Sequence, residues 1–507
     1  MSPERPRWFR RKIFVGIAVT VVVLIGAAAV FALTQKPGDV SNPGVEFRAE
    51  PTGTPVPDQQ PKGKRDDPLA NFVWPDYGYT KDRRRYLPAS FRIRPPFQKQ
   101  WTRRAPVLLE FSPILVGKAL YNQDNNAQAN SYDKKTGHAR WHRKLGVLAA
   151  SSPAFGGGRL YFTTLQRARN VQAGRVSALK PKNGKVIWSR DLPSRTESSP
   201  LFDGGRVYFG SENGTIYALN AKNGSVVWTF RAAGAVKGGL ALSAGKLYFG
   251  AYGGRAYCIR ESDGKKVWST GTSGRTFGLA GGNFYSTPAV AFGRMYIGNT
   301  DGRMYSFSAQ TGKLAWARET GAYVYSSPAV AQVPGDVPTV WFGSYNGTFY
   351  AVDARDGHTR WTFRSGGRIL GGATVVGNIV YFSDYGKRAT YGLNVRTGKK
   401  EWSYPRGAFN PIVSDGRSLF LTGHSALYKF RPKGIAADAA PKPTTVKEVR
   451  QARKRARARK AAQAARYRKF ASKQRAKAAK RCKHAAHQKR CFRRWKRAHP
   501  HEARGRR

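Results

Sequence analysis

The chain of 507 residues has only three cysteines and eight histidines. Cys258 stands far from Cys482 and Cys491, and no Cys-x-x-Cys-His motif for covalent haem occurs. Four histidines lie near Cys482 and Cys491, but the spacing of these side chains matches no zinc signature. The sequence therefore predicts neither a covalent haem nor a metal site.

Acidic side chains are scarce as well. The chain has 29 Asp and Glu against 89 Lys and Arg, which gives a formal net charge of +60 at pH 7. The positive charge is densest in residues 447–507, where 26 Lys and Arg face two Glu. This imbalance favours anionic partners.

One short phrase recurs along the chain, a glycine followed four residues later by a tryptophan. The intervals between successive tryptophans run from 40 to 48 residues, a period typical of solenoids and propellers. The pairs are Gly137/Trp141, Gly184/Trp188, Gly224/Trp228, Gly264/Trp268, Gly312/Trp316, Gly357/Trp361 and Gly398/Trp402.

A single repeat predicts four strands. Residues 206–210, 215–219 and 225–230 are short β-branched and aromatic runs, and residues 198–202 form a further run ahead of them. Asn213-Gly214 stands between two of these runs, and Asn-Gly is the strongest short-range signal for a hairpin. Four antiparallel strands in such a period form one propeller blade.

Eight opening strands occur in the array, but only seven of them are followed by a strand that carries the tryptophan. The opening strands lie around Ser112, Ser152, Ser199, Gly239, Thr287, Ser327, Gly372 and Pro411. Residues 98–101, which end in Trp101, precede the first opening strand and can complete the last blade. Closure of this kind removes the exposed sheet edges. The sequence thus predicts an all-β, eight-bladed β-propeller over residues 97–432, closed by an N-terminal strand.

Residues 131–137 with Trp141, and residues 351–357 with Trp361, resemble the tryptophan-docking motif of the pyrroloquinoline quinone (PQQ) repeat family. The resemblance covers roughly residues 95–432. The family includes eight-bladed quinoprotein dehydrogenases and a non-catalytic outer-membrane assembly scaffold, BamB. The resemblance implies that the repeat tryptophans pack between blades, namely Trp101, Trp141, Trp188, Trp228, Trp268, Trp316, Trp361 and Trp402.

The same resemblance bears on catalysis. A quinoprotein alcohol dehydrogenase is expected to carry an adjacent cysteine pair over the cofactor and an Asp, Glu and Asn set for calcium, and this chain has no adjacent cysteines. We therefore expect no catalytic residues and no cofactor. Soluble glucose dehydrogenases of the family also lack the pair, so a PQQ- and calcium-dependent dehydrogenase of alcohols or sugars stays as the alternative.

The N-terminal region predicts a membrane anchor. Residues 13–33 carry no charge and are long enough to cross a bilayer, and residues 1–12 before them are basic. This pattern indicates a single-pass plasma-membrane protein with a cytoplasmic N-terminus and an extracytoplasmic propeller. A cleaved signal peptide is the alternative. Residues 34–96, rich in Pro and Gly, predict a spacer, in which the aromatic residues 71–79 pack on the side of the propeller.

A binding site is predicted where the propeller's central channel opens. The loops between blades and the turns between second and third strands share this face, and tyrosine and basic side chains recur there. Tyrosines stack on sugars or bases, and a basic ring attracts an anionic polymer. The candidates are Tyr252, Tyr345, Tyr385, Tyr285, Tyr325, Arg195, Lys237, Arg275, Arg368 and Arg406. In so basic a chain, arginines scattered over loops are the alternative explanation.

Residues 433–507 predict a basic tail, either helical or disordered. No Gly or Pro interrupts residues 446–497, but like charges repel, and a polyanion would favour the helix. The densest clusters are Arg453, Lys454, Arg455, Arg457, Arg459, Lys460, Arg493, Arg494, Lys496 and Arg497. The predicted partners are an anionic envelope polymer, anionic lipid or extracellular nucleic acid, together with an envelope protein. The predicted function is a binding or scaffold module of the cell envelope.

Overall fold

A computed structural model describes residues 38–49, 71–89, 93–272, 281–410 and 412–434, together with residues 465, 472 and 476. The chain divides into two compact units, Met1–Ile435 and Ala436–Arg507, and the propeller lies in the first. The predicted anchor and nearly all of the predicted tail are outside the described residues. None of the helices within the described part is long and apolar enough to span a membrane.

The first four strands come from the N-terminal side of the repeats. They are β1 (Val40–Ser41), β2 (Val73–Trp74), β3 (Tyr86–Leu87) and β4 (Phe97–Arg104). β1, β2 and β3 attach to the sheets of blades 5, 1 and 7, and β4 belongs to blade 8.

Blades 1 to 7 each contain four consecutive antiparallel strands, of which the first is innermost in the ring. Blade 1 has β5 (Ile114–Val116), β6 (Ala119–Gln123), β7 (Gln128–Asp133) and β8 (Ala139–Lys144). Blade 2 has β9 (Ala154–Gly156), β10 (Arg159–Thr164), β11 (Arg175–Leu179) and β12 (Val186–Asp191). Blade 3 has β13 (Leu201–Asp203), β14 (Arg206–Gly210), β15 (Thr215–Asn220) and β16 (Val226–Arg231). Blade 4 has β17 (Ala241–Ser243), β18 (Lys246–Ala251), β19 (Arg255–Arg260) and β20 (Lys266–Gly271).

The remaining blades repeat the same plan. Blade 5 has β21 (Ala289–Ala291), β22 (Arg294–Gly298), β23 (Arg303–Ser308) and β24 (Leu314–Glu319). Blade 6 has β25 (Ala329–Ala331), β26 (Thr339–Gly343), β27 (Thr348–Asp353) and β28 (Thr359–Arg364). Blade 7 has β29 (Thr374–Val376), β30 (Ile379–Asp384), β31 (Ala389–Asn394) and β32 (Lys400–Tyr404). Blade 8 has β33 (Ile412–Ser414), β34 (Leu419–Thr422) and β35 (Ala426–Pro432), and β4 is its fourth strand.

The ring is closed by the N-terminal strand. β4 pairs antiparallel with β35, from Phe97 opposite Pro432 to Arg104 opposite Ala426. The backbone N–H of Lys433 also donates to the carbonyl of Pro96 at 2.8 Å. The prediction of an all-β, eight-bladed propeller closed in this way is confirmed.

The outer tryptophan of every blade except blade 7 docks on the turn of the next blade. Trp316 is fully buried, and its Nε1 donates to the Ala354 carbonyl at 3.0 Å. Gly357 lies beneath the indole with φ +78°, and a Cβ there would come within 2.8 Å of the ring. Equivalent Nε1 bonds run from Trp101, Trp141, Trp188, Trp228, Trp268 and Trp361 to the carbonyls of Lys134, Pro181, Ala221, Glu261, Ala309 and Val395.

Trp402 is the exception among the repeat tryptophans. Its neighbour is blade 8, whose third and fourth strands come from opposite ends of the repeat array, so no turn joins them. Trp402 packs instead edge-on against Phe97 and Phe430, with ring centroids 5.6 and 5.5 Å away.

The blades are joined around the channel by small polar residues at the start of the opening strands. The N–H of Ser152 donates to the Ser199 hydroxyl at 3.0 Å, and the N–H of Gly239 donates to the Thr287 hydroxyl at 2.8 Å. The N–H of Thr287 donates to Ser327 Oγ at 3.0 Å. We call this set Ser112, Ser152, Ser199, Gly239, Thr287, Ser327, Gly372 and Asn410 the inner belt.

Residues 71–89, which we call the channel segment, lie inside the ring and not on its side. β2 pairs with β5 of blade 1, and β3 pairs with β29 of blade 7. Between these strands, the carbonyls of Pro75, Lys81, Asp82, Arg84 and Arg85 accept bonds from the inner strands of blades 2, 4, 5, 6 and 7. The spacer predicted for residues 34–96 is therefore wrong for this stretch, because the inner strands have free edges that its backbone satisfies.

A buried ion pair holds the channel segment in place. Arg83 Nη1 lies 2.7 Å from Asp76 Oδ1, and both side chains are almost completely shielded from solvent. Arg83 also donates to the carbonyls of Tyr77, Leu240 and Pro200. Burial raises the pKa of Asp76 to about 6, although Arg83 favours the charged form.

Candidate functional site

A cavity of about 180 Å³ lies on the propeller axis above the channel segment. Tyr77 of that segment and the loops between blades form its wall. Six wall residues occupy the same place in their repeats, two positions before a residue of the inner belt. They are Glu110, Glu197, Lys237, Tyr285, Tyr325 and Leu370. We call this cavity and its rim the channel mouth.

The basic residues of the mouth are matched by carboxylates. Lys237 Nζ lies 2.9 Å from Glu197 and 2.8 Å from Glu212. Arg195 Nε is 3.3 Å from the other oxygen of Glu212. Hydrogen bonds from Lys237 lower the pKa of Glu212 in spite of its burial, which opposes them. Lys237 and Arg195 therefore contribute little free positive potential to the mouth.

Glu110 is a carboxylate without a cation. Asn125 Nδ2 donates to it at 3.3 Å, and within the described part of the chain no basic side chain lies at ion-pair distance from it. Burial raises the pKa of Glu110, and the nearby charge of Glu197 raises it further. A cationic group that entered the cavity would pair with Glu110 and favour its charged form.

A row of tyrosines borders the mouth over blades 4 to 6. The ring centroids of Tyr252 and Tyr285 are 6.3 Å apart, those of Tyr285 and Tyr325 5.5 Å, and those of Tyr325 and Tyr345 6.1 Å. Tyr323 packs against Tyr325 and Tyr345, and 49% of it is exposed. The Tyr285 hydroxyl donates to Glu197 at 2.9 Å, which links the row to the carboxylates.

The tyrosines predicted on turns occupy equivalent backbone positions. The N–H groups of Tyr252, Tyr345 and Tyr385 donate to carbonyls of the loops that enter their own blades, at 2.8 to 2.9 Å. Tyr385 packs against Phe409 of the cavity wall, with ring centroids 4.8 Å apart. Tyr385 is thus separate from the row on blades 4 to 6.

The predicted basic residues do not form a ring. Arg195 and Lys237 are paired, and the Arg368 guanidinium stacks on Tyr345 at 5.0 Å from the ring centroid. Arg406 lies in a separate cleft between blades 7 and 8, which Lys99, Arg103 and Arg104 also line. Arg275 is outside the described residues. The channel mouth is therefore mixed in charge, because carboxylates from neighbouring repeats approach its cations.

Five residues of the mouth were not predicted from the sequence, namely Glu110, Glu197, Glu212, Phe409 and Tyr323. The sequence does carry a signal for Glu110 and Glu197, because each stands two positions before a serine of the inner belt. Tyr285 and Tyr325 stand at the same distance before Thr287 and Ser327. Alignment of the repeats at that position would have brought the carboxylates and tyrosines together. Tyr323 stands four positions before Ser327, the place that Arg195 and Arg368 hold in their own repeats.

The residues of the mouth do not fit PQQ with calcium. PQQ is a polycarboxylate, but Lys237 is already held by Glu197 and Glu212. Within the described residues no group of three or more His, Cys, Asp or Glu is placed to hold a metal ion. Cys258 is buried in blade 4, and burial raises the pKa of its thiol to about 12.

The chain was compared with known families and proteins. The family model described as outer membrane protein assembly factor BamB matches residues 125–236, 212–337 and 326–440. Together these matches cover more than half of the chain. No curated protein sequence matches it.

Solved structures share the propeller fold. BamB from Moraxella catarrhalis is 16% identical with a TM-score of 0.54, over 68% of this chain and 99% of that chain. Quinohemoprotein alcohol dehydrogenase ADHIIG from Pseudomonas putida HK5 is 14% identical with a TM-score of 0.62, over 73% of this chain and 82% of that chain. A europium-containing methanol dehydrogenase is 13% identical with a TM-score of 0.60, over 71% and 98%. At these identities the likeness is one of fold.

Proposed function

Since the chain belongs to the family described as outer membrane protein assembly factor BamB, we propose that it is a binding or scaffold module of the cell envelope. Its propeller holds a protein partner at the channel mouth. One observation carries the proposal, the row of packed tyrosines that ends in the half-exposed Tyr323. Tyrosine and arginine are enriched at the energetic centres of protein interfaces, and Arg368 stacks on this row.

The cavity beside the row suits a basic anchor on that partner. Glu110 has no cation, and Tyr77, Tyr285, Tyr325 and Phe409 surround the space with aromatic faces. A lysine or arginine side chain gains both ion pairing and cation–π contacts in such a place. The mouth thus favours a basic protein segment over the anionic polymer expected from the sequence.

Photo-cross-linking tests the partner site. A photoreactive phenylalanine analogue replaces Tyr323 in the full chain in its native cells, and the same analogue at Val337 is the control. Val337 is also exposed, but it lies in the loop between the first and second strands of blade 6, on the opposite face of the ring. We expect a discrete protein adduct from position 323 only.

Two further variants test the anchor. With Glu110→Gln and Glu197→Gln together, the yield of the adduct should fall about tenfold, which corresponds to ~1.4 kcal/mol of binding. Equal adducts from positions 323 and 337, or an adduct without protein, would count against the proposal. If the adduct persists unchanged in the double variant, the partner does not use a basic anchor, and only the tyrosine row remains as its binding surface.

We extend the proposal to the ends of the chain. Residues 13–33 anchor the protein in the plasma membrane, with the N-terminus in the cytoplasm and the propeller outside, and residues 433–507 bind an anionic envelope polymer, anionic lipid or extracellular nucleic acid. The uncharged length of the first segment and the concentration of Lys and Arg in the second support this arrangement.

Salt dependence tests the tail. We expect the full chain to bind vesicles with anionic lipid, teichoic-type polymer or DNA with an affinity that falls steeply as salt rises, because counterions are released on binding. A chain that ends at Gly434 should bind at least about tenfold more weakly at low salt. Vesicles of neutral lipid are the control, because they measure membrane insertion of residues 13–33 without charge attraction. Equal binding by the two chains would assign the interaction to the propeller.

A further inference from the structure

Exposed apolar side chains concentrate on one side of the propeller's outer wall. Five of the seven large, exposed hydrophobic side chains in the described part of the chain lie on the fourth strands of blades 2, 3 and 4. They are Val186, Ile187, Val226, Val227 and Val267, with 36% to 44% exposure. All of them stand one or two positions before a docking tryptophan.

Blade 5 shows how such an edge is covered. Leu314 and Ala315 stand in the corresponding positions before Trp316, and β1 pairs with β24 beside them, Val40 opposite Ala317 and Ser41 opposite Trp316. The N–H of Asn42 donates to the Ala315 carbonyl at 2.7 Å. Ala315 is only 2% exposed. Leu314 is partly buried, so strand addition by the chain's own residues covers this edge on blade 5.

A charge contact fixes the added strand. Asp39, just before β1, pairs with Arg318 and accepts the backbone N–H of Glu319 at 2.8 Å. Arg318 is the second residue after the docking tryptophan. An acidic residue ahead of a short extended strand is therefore recognised at this edge.

Blade 2 offers the same set of groups without a covering strand in the described residues. Val186 and Ile187 correspond to Leu314 and Ala315, and Arg190 corresponds to Arg318. Arg190 donates one bond to the Gly224 carbonyl at 3.2 Å. Blades 3 and 4 have Phe230 and Thr270 at the position of the arginine, so their edges lack its charge.

We infer that the outer edge of blade 2 binds an extended, acidic segment of a partner protein by strand addition. The free N–H and C=O groups of β12 supply the main-chain bonds, Val186 and Ile187 supply the apolar contact, and Arg190 pairs with a carboxylate ahead of the strand. A second copy of this chain is a poor occupant, because its net charge of +60 repels its like. The inference is independent of the channel mouth, which lies on the axis.

A peptide with the sequence of residues 38–48 is a direct probe, since it carries the recognised pattern. The full chain already holds this segment on blade 5, so the probe reports a second edge. We expect binding by fluorescence anisotropy, weakened about tenfold by Ile187→Lys or Arg190→Glu. A probe with Asp39→Lys should weaken to the same extent. Val267→Lys on blade 4, at the same repeat position and 44% exposed against 36% for Ile187, is the matched control and should leave the affinity unchanged.

The other outcomes distinguish the alternatives. Absence of binding overturns the inference. Binding that is lost with Leu314→Lys and kept with Ile187→Lys would mean that the probe replaces the chain's own residues 38–48 on blade 5. That result also overturns the inference. If sedimentation reveals a dimer of the full chain that dissociates with Ile187→Lys, that result would assign the edge to a second copy and rule out the proposed partner protein. Circular dichroism of each variant confirms that the propeller stays folded.

Discussion

Replacement of Trp316 by alanine should lower the free energy of unfolding by about 3–5 kcal/mol, because it removes a fully buried indole and leaves a cavity. The side chain contacts the Gly357 turn of the next blade, and its Nε1 bond to the Ala354 carbonyl disappears with it. The loss is measured from urea unfolding of the full chain followed by tryptophan fluorescence and circular dichroism.

Trp141→Ala is the matched control for this prediction. Trp141 makes the same contacts, with a 2.8 Å bond to the Pro181 carbonyl and a glycine beneath its ring, but its side chain is only half-buried. Its loss should therefore cost clearly less than the loss of Trp316. Equal effects at both positions would show that burial in the interface between blades does not set the contribution of these residues.

Replacement of Arg83 by methionine should also destabilise the chain by about 3–5 kcal/mol, since it leaves the buried Asp76 without its cation. Three carbonyls of the channel lose a donor at the same time. We expect limited proteolysis of the variant to begin in the channel segment. Thermal unfolding of the full chain gives the stability, and mass spectrometry locates the first cleavage.

A double variant separates the charge from the packing. With Asp76→Asn added to Arg83→Met, no unpaired charge remains, so part of the lost stability should return. A double variant less stable than Arg83→Met alone would contradict the view that the uncompensated carboxylate dominates. Early cleavage outside the channel segment would contradict its dependence on this ion pair.

The repeats made the ring predictable. Strand alternation, the Asn213-Gly214 turn and the glycines at positive φ are local signals, and each is repeated often enough to count blades and to find the missing strand. Gly214, for example, has φ +86°, and Asn213 accepts the N–H of Thr215. Closure by β4 followed from the count, because seven complete tryptophan strands left one blade open.

The channel segment could not be predicted in the same way. Its two strands, β2 and β3, have two residues each, too few for a periodic pattern. Five of its carbonyls each accept one bond from the inner strand of a different blade. Such contacts depend on the shape of the finished channel, and no local sequence signal encodes that shape.

The repeated tyrosines of the channel mouth and Lys237 were predictable, but the charge of the mouth was not. Tyr252, Tyr345 and Tyr385 recur at one position of the repeat, so their common location follows from the fold. The pairing of Lys237 with Glu197 joins residues 40 positions apart in neighbouring loops. The predicted positive potential rested on the number of basic residues alone. The carboxylates that pair with them largely cancel it.

The closure of blade 8 has a mechanical consequence. Phe97 and Pro432 lie side by side where the chain enters and leaves the propeller, so a pull on both flanking segments would open β4 and β35 like a zipper, one pair of bonds at a time. Tension from the N-terminal side, however, reaches the channel segment before it reaches β4. The inner strands of the blades hold that segment, so a pull from the N-terminal side reaches β4 only after the segment has been drawn out.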